Sequence, residues 1–233
     1  MNQIIAENMA AGILLVAGGY GVGLFLNRKL KHPVFNPLLI AILVVSIILV
    51  LTDTAPSSLK AGTAPLTALL TPATVCLAIP LSKQMTLLKK NYKAILGGCL
   101  AGVLASLMGI FGLSLLFGLP YADHMGLLPK SVTTAIGIGI AEELGGNTTL
   151  TIAAIIITGI TGNVFAELIC KIFGIRSPIA KGVAIGTSAH AIGTTKAMEI
   201  GEIEGAVSSL ALIIAGLSTV VLAPLLVKIT FHL

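Results

Sequence analysis

Residues 94–119 and 205–227 contain no charged side chain. Runs of that length match the hydrocarbon core of a bilayer, which about 20 apolar residues cross as a helix. Further apolar runs occupy about 8–26, 36–52 and 148–170. Over the whole chain 56% of residues are hydrophobic and 10% are charged, with a mean hydropathy of +1.05. A soluble domain carries about 25% charged residues, so too few polar side chains exist here to cover a surface in water. Disorder is excluded by the opposite argument, because disordered chains are poor in hydrophobic residues. The chain reads as an all-α, polytopic membrane helical bundle. It forms one domain over 1–233, with about six to eight membrane segments.

The few charges stand between the apolar runs, and that placement sets orientation rather than a nucleic-acid surface. Basic residues cluster at 28–31, 83–93 and 171–181, which the positive-inside rule assigns to the cytoplasm. The loops near Asp53 and Asp123 lack such clusters and face out, which puts the N-terminus outside. With Asn2, Gln3 and Glu7 and no basic stretch, that terminus does not read as a cleavable signal peptide. Cys76, Cys99 and Cys170 each sit in an apolar run and form no C-x-x-C pair. They read as small hydrophobes, and no metal or cofactor is expected.

Counting crossings exposes an irregularity. Between the outer loop at 119–128 and the inner cluster at 171 lie two apolar segments, 129–146 and 148–170, where one crossing is required. The short, glycine-rich 129–146 is the candidate for a re-entrant piece. Residues 178–200 read as another interrupted segment, dense in Gly, Ser and Thr. Whether it crosses together with 205–227 or re-enters stays open. Residues 63–81 are broken by Pro65, Pro72 and Pro80. A short internal repeat relates Leu69-Leu-Thr-Pro72-Ala-Thr-Val75 to Leu127-Leu-Pro129-Lys-Ser-Val-Thr133, and interrupted segments in corresponding positions point to a transporter binding site.

Proline is tolerated at the first position of a helix, so Pro72 and Pro129 are expected to open helices at membrane depth. A helix N-terminus offers unpaired N–H groups and partial positive charge, which suit a carboxylate. Pro72, Ala73 and Thr74 would form one such site, and Lys130, Ser131, Thr133 and Thr134 the other. The competing reading is that the prolines kink packed helices, that the hydroxyls tie neighbours together, and that Lys130 snorkels to the interface. Residues 186–195 add Thr187, Ser188, His190, Gly193 and Thr194. His190 is the ionisable group of that stretch, and ionisable groups inside a membrane segment mark substrate or proton paths. It titrates near neutrality, as proton coupling needs. The alternative is a neutral His190 hydrogen-bonded inside the bundle. An enzyme is not expected, because neither a G-x-S-x-G elbow nor H-E-x-x-H occurs. Glu142 and Glu143 read as an aqueous boundary, and Glu199, Glu202 and Glu204 with Lys196 as a solvated turn.

Four stretches together resemble the LrgB/CidB family. Pro72-Ala-Thr-Val-Cys-Leu-Ala-Ile-Pro80-Leu-Ser-Lys-Gln84 is similar to PATxxxAxPLxxQ, and Leu128-Pro-Lys-Ser-Val-Thr-Thr134-Ala-Ile to LPKSVTTPIA. Pro178 to Thr194 is similar to PxAxGxAxGTxxHAxGT, and Glu204-Gly-Ala-Val-Ser-Ser-Leu-Ala211 to EGAxSSLA. The resemblance runs from about Asn36 to Pro224. Ala135 stands where many relatives have proline, and Glu142-Glu143 has no counterpart in the pattern. The resemblance implies a multi-pass protein of the bacterial inner membrane, acting with a small LrgA/CidA-type membrane partner. It implies either an antiholin-like regulator of murein hydrolase activity or a carrier of small monocarboxylates such as pyruvate, glycolate or glycerate. The interrupted segments and membrane histidine favour the carrier, with a homodimer through the first spans.

Overall fold

The computed structural model describes residues 8–30, 35–69, 72, 75, 76 and 78–231. Every regular element among them is helical. Leu70, Thr71, Ala73 and Thr74 lie outside the described residues, and with them half of one copy of the repeat. The chain divides into two compact units, 1–76 and 77–233.

The first unit holds α1 (Met9–Leu30), α2 (Pro37–Leu51), α3 (Pro56–Gly62) and α4 (Ala64–Ala68). Asn36 starts α2 by accepting the N–H groups of Leu38 and Leu39 on its side chain, with Pro37 following, the arrangement expected where the first N–H groups lack partners. Three glycines let α1 approach its neighbours closely. A Cβ at Gly23 would lie 2.5 Å from Pro37 O, one at Gly19 3.3 Å from Ala41 O, and one at Gly12 2.7 Å from Gly62 C. Small residues at helix contacts are how membrane helices gain dispersion energy, because lipid is as apolar as leucine.

The second unit comprises α5 (Ala78–Lys83), α6 (Met85–Lys90), α7 (Tyr92–Leu116), α8 (Tyr121–Leu127), α9 (Thr134–Glu143), α10 (Thr148–Ile172), α11 (Pro178–Ile200) and α12 (Glu202–Phe231). Of these α7, α10 and α12 are long and apolar enough to cross a membrane, as is α1 in the first unit. Two pieces of the second unit reverse instead of crossing.

The first reversal is α8–α9. The Asn147 N–H donates to Ala122 O, and its side-chain amide to Asp123. The Thr151 hydroxyl donates to Gly126 O. The beginning and end of 121–147 are therefore side by side, with the turn 128–133 as the tip. The expected re-entrant segment exists, but its descending leg starts at Tyr121, in what the sequence reads as a loop. Pro129 does not open a helix. It lies in the tip turn, where the Val132 N–H bonds its carbonyl, and the helix starts at Thr134.

The second reversal is α11, and it settles the open question about 178–200. α11 is two helical pieces divided by a backbone break at His190, with φ 42° and ψ −140°. A side chain pays roughly 1–3 kcal/mol for such a conformation. Past the break the helix folds back on itself. Ile185 and Ala197 fall in one buried cluster with Ala166 of α10, and a Cβ at Gly193 would meet Ile185 O at 3.3 Å. In a straight helix Ile185 and Ala197 would stand about 18 Å apart. The residues 178–189 and 191–200 are thus two legs of a helical hairpin, and after it α12 alone is long and apolar enough to cross a membrane.

Both hairpins are clamped between α7 and α12. Met125, Leu128 and Ile140 of the first pack with Val103, Leu107, Ala215, Ala223 and Val227. Val183 of the second packs with Ile95, Cys99, Val207 and Ala211. The first hairpin has its base at the N-terminal end of α10, beside Asn147. The second has its base at the other end, where Lys196 reaches Glu167 at 2.7 Å.

Candidate functional site

The two tips meet near the middle of α10, around Ile155. The Ile155 carbonyl takes a hydrogen bond from His190 Nε2 at 3.0 Å, while its side chain occupies the space beside Gly137 of the first hairpin. A carbonyl only accepts, so Nε2 carries the proton and Nδ1 is the nitrogen left to gain or lose one. The ring lies over Gly159, where a Cβ would come within 2.7 Å of Cε1 and 2.9 Å of Nε2. His190 is 3% exposed, and α10 holds it there through a glycine and a carbonyl.

Asn163 fastens the returning leg. Its amide donates to Ile192 O at 2.7 Å and to Thr195 Oγ1 at 3.1 Å, which answers a carbonyl near the break. The Thr194 hydroxyl donates to His190 O at 2.9 Å and shares a bond of the same length with Ser208 of α12. Gly186 brings the descending leg onto α12, with any Cβ there 2.5 Å from Ser208 O.

Between the tips lies a cavity of about 10 Å³ lined by Ser106, Ser131, Thr187 and Thr219 among apolar Val103, Leu107, Leu128 and Val132. That volume holds about one water molecule. Ser106 and Ser131 share a hydrogen bond of 3.1 Å, and Lys130 Nζ donates to Ser131 at 3.0 Å. Thr187 and Thr219 direct their protons to Val183 O and Ala215 O on their own helices. The donors able to turn to a ligand are thus the Lys130 ammonium and the serine pair.

The structure brings together Lys130, Ser131, Thr187, His190 and Thr194. Gly193 serves the fold of the hairpin, packed against Ala189 and Ile185. Ser188 points away, exposed, its hydroxyl bonded to Ala184 O. Thr133 caps α9 without a side-chain bond, half-buried, and Thr134 is exposed. Pro72 is exposed and belongs to the first unit, while Ala73 and Thr74 are outside the described residues. Glu204 departs from the solvated-turn reading: it is 8% exposed, at the start of α12, where the helix dipole favours a carboxylate. The sequence reading does not single out Ser106, Gly159, Asn163 or Thr219. Asn163, Ser106 and Thr219 did carry a signal, as polar residues inside otherwise apolar spans.

The LrgB-like family model matches residues 17–229. The holin-like protein CidB of Staphylococcus epidermidis is 33% identical over 219 residues, covering 94% of this chain and 96% of that protein. This chain belongs to the LrgB-like family. The antiholin-like protein LrgB of Bacillus cereus is 34% identical over 215 residues, covering 92% of this chain and 94% of its own. No solved structure matches the chain.

Three of the four LrgB-like stretches quoted from the sequence fall on the two hairpins and their support. Leu128 to Ile136 is the first tip with the start of α9. Pro178 to Thr194 is the descending leg and tip of the second hairpin. Glu204 to Ala211 is the face of α12 on which that leg rests, through Val207 and Ala211 against Val183.

Proposed function

We propose that this LrgB-like membrane protein is a secondary carrier of small monocarboxylates, of the size of pyruvate, glycolate or glycerate. The observation that carries the reading is the meeting of two opposed hairpin tips, with Lys130, Ser131 and Ser106 on one side and Thr187 and His190 on the other. Such groups are expensive at membrane depth, and interrupted helices with polar tips near the midplane are the architecture of ion-coupled carriers. One ammonium with two hydroxyls matches one carboxylate in charge. A three-carbon acid exceeds a cavity of about 10 Å³, so the described conformation is closed, and the site opens by movement of one hairpin against α7 and α12. His190 Nδ1 then takes up or releases the coupled proton while Nε2 stays on Ile155. The protein acts in the bacterial inner membrane with its N-terminus outside, as a homodimer, alongside an LrgA/CidA-type partner.

The names of the relatives favour a second reading, a non-transporting antiholin-like regulator of murein hydrolase activity. Uptake of labelled pyruvate and glycolate into proteoliposomes separates the two. It would be run with and without a pH gradient, and with and without the partner. The carrier reading expects saturable uptake, reduced at least tenfold by Lys130→Ala and insensitive to the gradient after His190→Ala. Absence of uptake from folded protein in every combination overturns it and leaves the regulator, whose action would survive both substitutions.

A further inference from the structure

We propose that the base of the second hairpin is a separate binding site for a multivalent oxyanion of the phosphate class. A partly open cavity of about 560 Å³ lies between the end of α10, the connector after it and both ends of α11. Lys171, Arg176 and Lys181 line it from three successive segments, together with Glu167 and Glu199. The two carboxylates are already engaged, since Lys196 Nζ lies 2.7 Å from Glu167 and 3.2 Å from Glu199. Among the described residues no ion pair engages Lys171, Arg176 or Lys181. Counting Lys196, four cations face two carboxylates, and the imbalance asks for a dianion. An arginine fork with two ammonium groups matches phosphate oxygens in geometry as well as charge. The volume accommodates a phosphate ester or a phospholipid headgroup, whereas the tip cavity holds a single water.

The location gives the ligand leverage. Lys181 belongs to the descending leg and Lys171 to the last turn of α10, so an anion bound here ties the base of the hairpin to α10. This site is independent of what the tips bind. On the side that the positive-inside rule assigns to the cytoplasm, the phosphate can come from an anionic lipid or from solution.

The test uses the full chain purified in detergent and two probes. One is inorganic phosphate against sodium chloride at matched ionic strength, read by thermal unfolding. The other is reconstitution in nanodiscs of phosphatidylcholine with or without phosphatidylglycerol, read by lipid retention in native mass spectrometry. Stabilisation by phosphate supports a soluble ligand, selective retention of phosphatidylglycerol supports a lipid, and either establishes the site if Lys171→Gln/Arg176→Gln/Lys181→Gln abolishes it. Arg176→Gln alone, on the exposed connector, is expected to weaken binding about tenfold, which keeps the test alive should the triple variant not fold. Lys83→Gln/Lys89→Gln/Lys90→Gln removes the same charge elsewhere and is expected to leave binding intact. Binding of neither probe, or equal weakening by both triple variants, overturns the proposal.

Discussion

Gly159→Ala is the sharpest probe of how His190 is held. A Cβ at 159 would lie 2.7 Å from His190 Cε1, 2.9 Å from Nε2 and 2.8 Å from Ile192 Cδ1. Carbon contacts settle near 3.5–4.0 Å, so the ring must retreat by roughly 0.8 Å. The Nε2 to Ile155 O bond of 3.0 Å then stretches beyond hydrogen-bonding range. A buried N–H left without its acceptor costs about 1–3 kcal/mol, and overpacking adds about 1–3 kcal/mol. Replacing glycine by alanine in a helix returns about 1 kcal/mol. The net expectation is a loss of about 1–5 kcal/mol, measured as a lower unfolding temperature in detergent, together with a collapse of gradient-driven uptake. Gly109→Ala is the control, because nothing lies within 4 Å of a Cβ there. It should melt at or above the parent temperature. A Gly159→Ala protein that melts and transports like the parent would refute the placement of the imidazole against α10.

Three further outcomes follow from the same geometry. His190→Gly should be more stable than His190→Ala by about 1–3 kcal/mol, because glycine accepts the left-handed φ of 42° without penalty; an alanine variant at least as stable would show that the break is unstrained. Asn163→Leu deletes the bonds to Ile192 O and Thr195 and should cost about 2–3 kcal/mol, with faster amide exchange confined to 191–200. Unchanged exchange there would sever Asn163 from the returning leg. Glu167→Gln breaks a 2.7 Å ion pair whose carboxylate is 62% exposed, so the loss should stay below about 1 kcal/mol and vanish at high salt. A loss that persists in 0.5 M salt would contradict that picture.

The full crossings were legible because length and apolarity alone determine them. The expected runs at 8–26, 94–119 and 148–170 differ by only a few residues from α1, α7 and α10. The reversal at His190 was not legible, since one backbone conformation decides it and the flanking residues Ala189 and Ala191 suit a straight helix equally well. Pro129 misled for a related reason: proline favours the first turn of a helix and a tight turn alike, and here the turn won. The leg 121–127 reads as part of the outer loop 119–128, because it falls between two apolar runs and carries Asp123 and His124. His124 is in fact 2% exposed, with its ring 5.0 Å from that of Phe111. Within the site, His190 stood out as an ionisable group in an apolar stretch. Ser188 looked equivalent to Thr187 by composition, yet on a helix neighbours one residue apart face different ways, and only Thr187 turns inward.

Each hairpin leaves and regains the same end of α10, so neither changes the parity of the chain. From the lysines at 83–93 onward only α7, α10 and α12 alternate sides, and three passages put the end of α12 opposite those lysines. A segment that contributes nothing to parity can be lengthened, shortened or replaced without inverting anything downstream. On the proposed carrier reading, Lys130, Ser131, Thr187 and His190 therefore sit on the parts of the chain whose redesign is least able to turn the remainder inside out, while the passages that fix orientation contribute Ser106 and the supports of the two tips.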